Sequence, residues 1–175
     1  MANRNNTARL TVCAMLSALG VVILLLGSVV EVVDMAMAAL ASLLCIFAVI
    51  EYDKAAPWLV YAVTAVLALI LPIPNKTPAV MYAGFLGYYP IIKEKLERRK
   101  KPIAWLLKLV IFNAALAVIF LVVKFVLSPL TSTPLWMYVA LFPLAELAFI
   151  LYDIALTRLI TLYILKIRHR FNFKK

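Results

Sequence analysis

An all-α fold, a bundle of six transmembrane helices with both termini in the cytoplasm, is what this sequence predicts, and three observations predict it. The first is composition: the chain has 175 residues, 66% hydrophobic and 15% charged, against about 45–50% and about 25% in an ordinary soluble domain. Such a chain cannot cover itself with polar surface. The second is segmentation, since six apolar stretches at about 20 residues per crossing use nearly all of the length and leave no room for a separate soluble domain. The third is charge placement. Fifteen of the eighteen lysines and arginines, Arg4, Arg9, Lys54, those from Lys93 to Lys101 and those from Arg158 to Lys175, fall on one side of this topology. Lys76 stands alone on the other, and Lys108 and Lys124 lie inside a span. Positively charged short loops resist translocation, so the crowded side is cytoplasmic.

Each span has a boundary signal. Span one is expected over about 10–30, with a turn near Gly27-Ser28 and Glu31 and Asp34 at its exit. Its apolar run from Leu10 to Leu26 outlasts the core of a signal peptide, so it reads as a retained helix. Span two covers about 35–50 and stops at Glu51-Tyr52-Asp53-Lys54. Span three runs over about 57–71, with Pro57 tolerated in its first turn, and is broken by Pro72, Pro74 and Pro78. Span four, about 79–92, is expected to close at Gly84, Gly87 and Tyr88-Tyr89-Pro90, after which a basic segment emerges. Span five follows Pro102 over about 103–127, and span six takes about 135–157 with a helical extension toward Lys166. Residues 168–175 form a basic cytoplasmic tail.

The net charge of +10 is dispersed in short clusters between apolar stretches, which is a topology signal and not the stripe a nucleic-acid binder would carry. A basic cytoplasmic face suits membrane lipids, with an acidic partner as the alternative. Cys13 and Cys45 lie in apolar runs without CxxC spacing and read as small packing residues; His169 is the sole histidine, in the tail. No metal site, no cofactor and no nucleophile beside a base is predicted, so the chain is not read as an enzyme. The sequence has no GxxxxGK[ST] phosphate loop and hence no ATPase of its own.

Polar residues inside spans carry the functional readings, because an ionisable group at the bilayer centre costs about 2.5–3.5 kcal/mol on insertion scales and persists where it faces protein or water. Glu146 lies midway along span six and Asn113 at similar depth in span five; Asp153 follows Glu146 by seven residues on nearly the same face, and Lys108 lies at about that depth. One reading pairs Lys108 with Asp153 and Asn113 with Glu146 across adjacent helices. The other has Glu146 lining a cavity for a cationic or hydrogen-bond-donating ligand, or carrying a proton. Lys124, Glu31 and Asp34 with Tyr82, Trp136 and Tyr138 would form an outward polar and aromatic mouth if the outer connections fold inward. Snorkelling and an interfacial aromatic belt are the alternatives. On span one, Ala14, Ser17 and Ala18 with Gly20 offer small side chains at the spacing that lets another helix approach closely.

Three stretches resemble the substrate-binding S components of energy-coupling factor (ECF) vitamin transporters: the Ala-rich first helix from Arg9 to Gly20, the run through Tyr88-Tyr89-Pro90, and the short Pro-rich external loops. The full length resembles that family in layout. The resemblance implies six helices, a small-residue face on the first helix at Ala14 and Ala18 for docking a transmembrane coupling subunit, separate ATPases, and a pocket that opens outward for a vitamin-like solute. No stretch assigns a particular vitamin. Two rivals remain beside it: a membrane assembly protein that recruits a cytoplasmic partner through Lys93 to Lys101, and a stand-alone ion-coupled carrier using Glu146.

Overall fold

Long apolar stretches give long helices, one of them continuing through a lone internal proline, and the proline-dense stretches give the breaks. The structure, a computed structural model, describes residues 2–52, 55–71, 74–122 and 135–167, with side chains described for these apart from 2–6, 31, 122, 135–141 and 167. All regular structure among them is helical: α1 (Ala2–Val29), a 3₁₀ turn (Glu31–Val33), α2 (Asp34–Glu51), α3 (Ala55–Ile70), α4 (Thr77–Met81), a π-helical turn (Tyr82–Leu86), α5 (Tyr89–Leu96), α6 (Lys101–Val122), α7 (Leu135–Leu162) and a second π turn (Tyr163–Ile167). Lys124, the Ser128 to Pro134 connection, the end of expected span five and the tail at 168–175 lie outside the described residues. The chain forms two compact units, Met1–Lys124 and Phe125–Lys175.

Among the described residues, four stretches are long and apolar enough to cross a membrane: Thr7–Val29, Asp34–Glu51, Lys101–Leu121 and Phe142–Lys166. Their packing agrees with that solvent. The core of the first unit is built from small side chains, with Ala38, Ala41, Cys45, Ala48, Ala56, Ala65, Ala68 and Ala79 all buried. Large apolar residues such as Met15, Val22, Leu26, Val66 and Ile70 instead face outward, Met15 with 67% of its surface exposed. A soluble fold buries its largest apolar residues. Inside a bilayer lipid is as apolar as leucine, so helices associate where small residues let backbones approach.

Helix α1 shows this most plainly. Cys13, Ser17, Gly20, Val21, Leu24, Gly27 and Ser28 recur at helical spacing on its buried face, against α2 and α3. A Cβ at Gly20 would stand 3.0 Å from the Thr64 methyl, and one at Gly27 would stand 2.7 Å from Met37 Cβ. The expected turn at Gly27-Ser28 is therefore corrected: the helix runs through both, and Gly27 serves the close approach of α2. Buried hydroxyls satisfy themselves on their own helices, Ser17 Oγ donating to Cys13 O at 2.9 Å and Ser28 Oγ to Leu25 O at 2.7 Å. In a medium without water this is how a hydroxyl is tolerated.

The 77–96 region differs from the simple fourth span expected. Pro78 starts α4 and Pro90 starts α5, each near the first position of its helix. Pro90 has no N–H, and its ring would collide with the carbonyl four residues back, so no regular helix passes from Tyr82 into α5. The chain widens into a π turn instead, closed by Gly87 N–H donating to Tyr82 O at 2.8 Å. Tyr88-Tyr89-Pro90 thus opens a helix and does not end one. At the other edge, Lys76 Nζ donates to the carbonyls of Leu69 at 2.9 Å and Leu71 at 2.5 Å, closing the last turn of α3.

The second unit contains α7 and the π turn after it. Pro143 lies inside α7, where proline removes one helical hydrogen bond. Further along, Thr157 Oγ1 donates to Asp153 O at 2.9 Å and Thr161 Oγ1 to Thr157 O at 2.8 Å, again keeping hydroxyls on their own helix.

Candidate functional site

One end of the first unit gathers the start of α1, the end of α2, the beginning of α3 and all of α5. A cavity of about 470 Å³ opens there. Its walls are apolar at Val49, Ala55, Pro57 and Ile91, aromatic at Tyr52 and Trp58, and charged at Glu94 and Lys95. Burial pushes the Tyr52 phenol above its ordinary pKa. A smaller cavity of about 250 Å³ lies on the other side of Ala55, lined by Arg9, Leu10, Cys13, Ala56 and Leu59. The beginning of α3 therefore has a concavity on each flank, with a basic side chain in each.

Beside this end sits a charge cluster that the sequence did not disclose. Lys93 is 1% exposed, and its Nζ lies 2.7 Å from Glu97 Oε1 one helical turn on. Lys108, also buried, reaches the same oxygen at 3.1 Å and lies 5.3 Å from the centroid of the Trp105 ring. One carboxylate, itself 41% exposed, thus joins α5 to α6 by bridging two buried ammonium groups. Lys93 is consequently buried apart from the rest of the basic segment Lys93 to Lys101, which the sequence reading offered as a whole to a cytoplasmic partner. Arg98 is exposed and pairs with Glu94 across one turn at 2.5 Å.

Aromatic rings form the third feature. Trp58, Tyr61 and Tyr88 meet edge to face, and Phe85 packs against Tyr88, Tyr89 and Phe112. Tyr61 hydroxyl donates to Ala83 O at 2.7 Å, within the π turn, which ties α3 to the broken helix.

Against this geometry the residues singled out from sequence fall as follows. Tyr82 is 1% exposed, with its hydroxyl 3.2 Å from Cys45 Sγ. Cys45 lies eleven residues beyond Asp34 along α2, about 16 Å at 1.5 Å per residue, so Tyr82 belongs to the core and not to a mouth shared with Asp34. Asp34 begins α2 and accepts the Met35 N–H at 2.5 Å, a favourable place for an acid at a helix N-terminus. Glu31 opens the 3₁₀ turn beside it, and its side chain, like those of Trp136 and Tyr138 in the first turn of α7, lies outside the described residues.

The three small residues of α1 divide. Ala14 and Ala18 are exposed on the outward stripe with Met15, Leu19 and Val22, whereas Ser17 is buried on the opposite side with Gly20. On α6, Asn113 donates its amide to Leu109 O at 2.9 Å. On α7, Asp153 is buried and Glu146 is half-buried. The expected pairs, Lys108 with Asp153 and Asn113 with Glu146, each take one residue from either unit.

No family model, no curated protein and no solved structure matches this chain. Its site is therefore read from its own residues. No group of three or more histidine, cysteine or acidic side chains able to hold a metal occurs among the described residues. The features that the sequence reading missed are Glu97 as a bridge, Lys93 as a buried cation, and the cavity flanked by Trp58 and Lys95. A readable signal existed for the first two: Lys93 and Glu97 are four apart, the spacing at which side chains meet on a helix.

Proposed function

We propose that this chain is the membrane-embedded, substrate-binding subunit of a small-solute importer, taking up a vitamin-like ligand from outside with a separate ATP-hydrolysing module. In this reading the chain crosses the cell membrane six times with both termini in the cytoplasm. Four crossings are the long apolar stretches. The other two are α3, 16 residues long, and the broken helix from Thr77 to Leu96. The latter spans 20 positions, about 30 Å at the helical rise, which equals the hydrocarbon thickness.

The observation that carries the proposal is the two-sidedness of α1. One face is locked against α2 and α3, while the other presents Ala14 and Ala18 among exposed apolar residues. A helix that keeps small residues outward offers a membrane partner the same close approach it uses internally. The test is co-purification from the native membrane together with thermal unfolding across a panel of vitamins. Expected are a co-purifying coupling subunit with ATPases, lost in Ala14→Leu/Ala18→Leu, and one ligand that raises the unfolding midpoint. Neither a partner nor a stabilising ligand would sink the proposal.

A second reading, an assembly protein recruiting a cytoplasmic partner, is favoured by the exposed side chains Arg98, Arg99, Lys100 and Lys101 between α5 and α6. The Lys93–Glu97–Lys108 bridge fixes this segment to the bundle. Neutralising the four exposed cations would then abolish partner recruitment while leaving ligand-dependent stabilisation unaffected.

A further inference from the structure

The importer reading gives no role to the cavity bounded by Tyr52, Trp58, Glu94 and Lys95. Its lining is unusual in carrying one charge of each sign on adjacent residues of α5. Adjacent helical positions point about 100° apart, so Glu94 and Lys95 do not face one another but stand on the cavity wall as separate poles. Glu94 has Arg98 as a neighbour, yet Arg98 is 70% exposed, and an exposed pair of this kind is readily exchanged for another cation. A site with two poles selects a ligand with two charges.

The rest of the lining points to an amphiphile. Tyr52 and Trp58 are aromatic residues with polar atoms, the types that gather at membrane–water interfaces. From Ala55 and Trp58 an exposed apolar track continues along α3 through Leu59, Ala62, Val63, Val66 and Ile70. A headgroup lodged in the cavity would have its acyl chains directed onto that track. The volume of about 470 Å³ lies in the range of small-ligand sites.

We propose that this cavity binds the headgroup of a zwitterionic membrane lipid that carries a primary amine and a phosphate. Lys95 takes the phosphate, Glu94 accepts N–H bonds from the ammonium, and the faces of Trp58 and Tyr52 close over the cation. A trimethylated amine has no N–H for Glu94, and a headgroup with phosphate alone leaves Glu94 facing an anion. The proposal requires that the chain resides in a membrane, and it stands apart from the solute-binding reading, whose failure would not affect it.

The test is native mass spectrometry of the full chain, purified in mild detergent and offered phosphatidylethanolamine, phosphatidylcholine and phosphatidylglycerol with identical acyl chains at equal concentration. Phosphatidylethanolamine is expected to be retained about tenfold over the other two, the discrimination at the low end of what one hydrogen bond to a charged group provides. Glu94→Gln should remove that preference, and Lys95→Gln should lower retention of all three. Both substitutions are on the surface, and an unchanged unfolding midpoint in lipid-free micelles verifies that the fold is intact. Excess water-soluble phosphoethanolamine should not displace the lipid. Equal retention of the three lipids, a preference for phosphatidylglycerol, a preference unaltered in Glu94→Gln, or displacement by the soluble headgroup would each overturn the proposal.

Discussion

The seam between α1, α2 and α3 and the broken helix from Thr77 to Leu96 both bury helix surface without polar solvent, and they do it in opposite ways. In the seam, side-chain volume is removed: alanines, serines and glycines line the contact, and Gly20 and Gly27 let neighbouring side chains approach the α1 backbone. In the broken helix, volume is added. Tyr61, Tyr82, Phe85, Tyr88 and Tyr89 fill the space with rings, Gly87 provides the notch they need, and Gly84 admits the side chain of Ile119 from α6. The contrast teaches that regular backbone suits small-residue contacts, which repeat at helical spacing. Ring packing is irregular and tolerates, or requires, a widened turn.

Glycine substitutions test this directly. Gly87→Ala is expected to be the most damaging, costing about 2–3 kcal/mol, the upper range for overpacking. Its Cβ would lie 2.7 Å from the Tyr61 ring and 2.8 Å from the Tyr82 ring, and Tyr61 is held by its bond to Ala83. Unfolding of the purified protein in micelles measures it; a neutral outcome would show that the rings move freely and break the contrast. Glu97→Gln should come next at about 2 kcal/mol, between the values for exposed and buried ion pairs, since the carboxylate is partly exposed while both lysines are buried. Lys108→Met in that background should then add less than it does alone, a double-mutant result that independent residues would not give.

Gly27→Ala is expected to cost about 1–2 kcal/mol, because the obstructing atom is Met37 Cβ, which moves only with its helix, while alanine regains some helix propensity. Gly20→Ala should be close to neutral, within about 0.5 kcal/mol, since its nearest neighbour is the Thr64 side chain at 3.0 Å and the propensity gain offsets the crowding. A larger loss at Gly20 than at Gly27 would show that the seam is tighter toward α3 than toward α2. Between these two glycine substitutions, Tyr82→Phe should cost about 0.5–1 kcal/mol for the hydroxyl contact with Cys45, leaving ring packing in place.

Much of the helical layout was legible because its signals are strong: uninterrupted apolar stretches make helices, Pro57 sits in the first turn of α3, and the proline-rich connection ends that helix. Glycine roles were not legible. Gly27 and Gly87 read as turn residues because a turn is the commonest use of glycine, whereas their use here is set by which neighbour comes close, a tertiary fact. Glu97 was hidden for a related reason. It stands in a run of exposed charges, and only the return of α6 past α5 brings Lys108 to its oxygen. Among the candidate site residues, Ala14 and Ala18 could be separated from Ser17 by helical spacing alone, but which side faced the bundle depended on where α2 and α3 pack. The cavity lining comes from three elements and has no local sequence pattern.

The short reach of α3 has a mechanical consequence. Its 16 residues cover about 24 Å, whereas the apolar stretch of α1 from Thr7 to Val29 covers about 35 Å. Lys76 terminates α3 firmly at one edge by binding its last carbonyls, so the helix cannot lengthen to make up the difference. Under the six-crossing reading, α1 is accommodated by tilting or by thickening the bilayer beside it, whereas the bilayer thins beside α3, so that the membrane is thinnest on the α3 side of the first unit. Lipids of differing length would be sorted between the two sides.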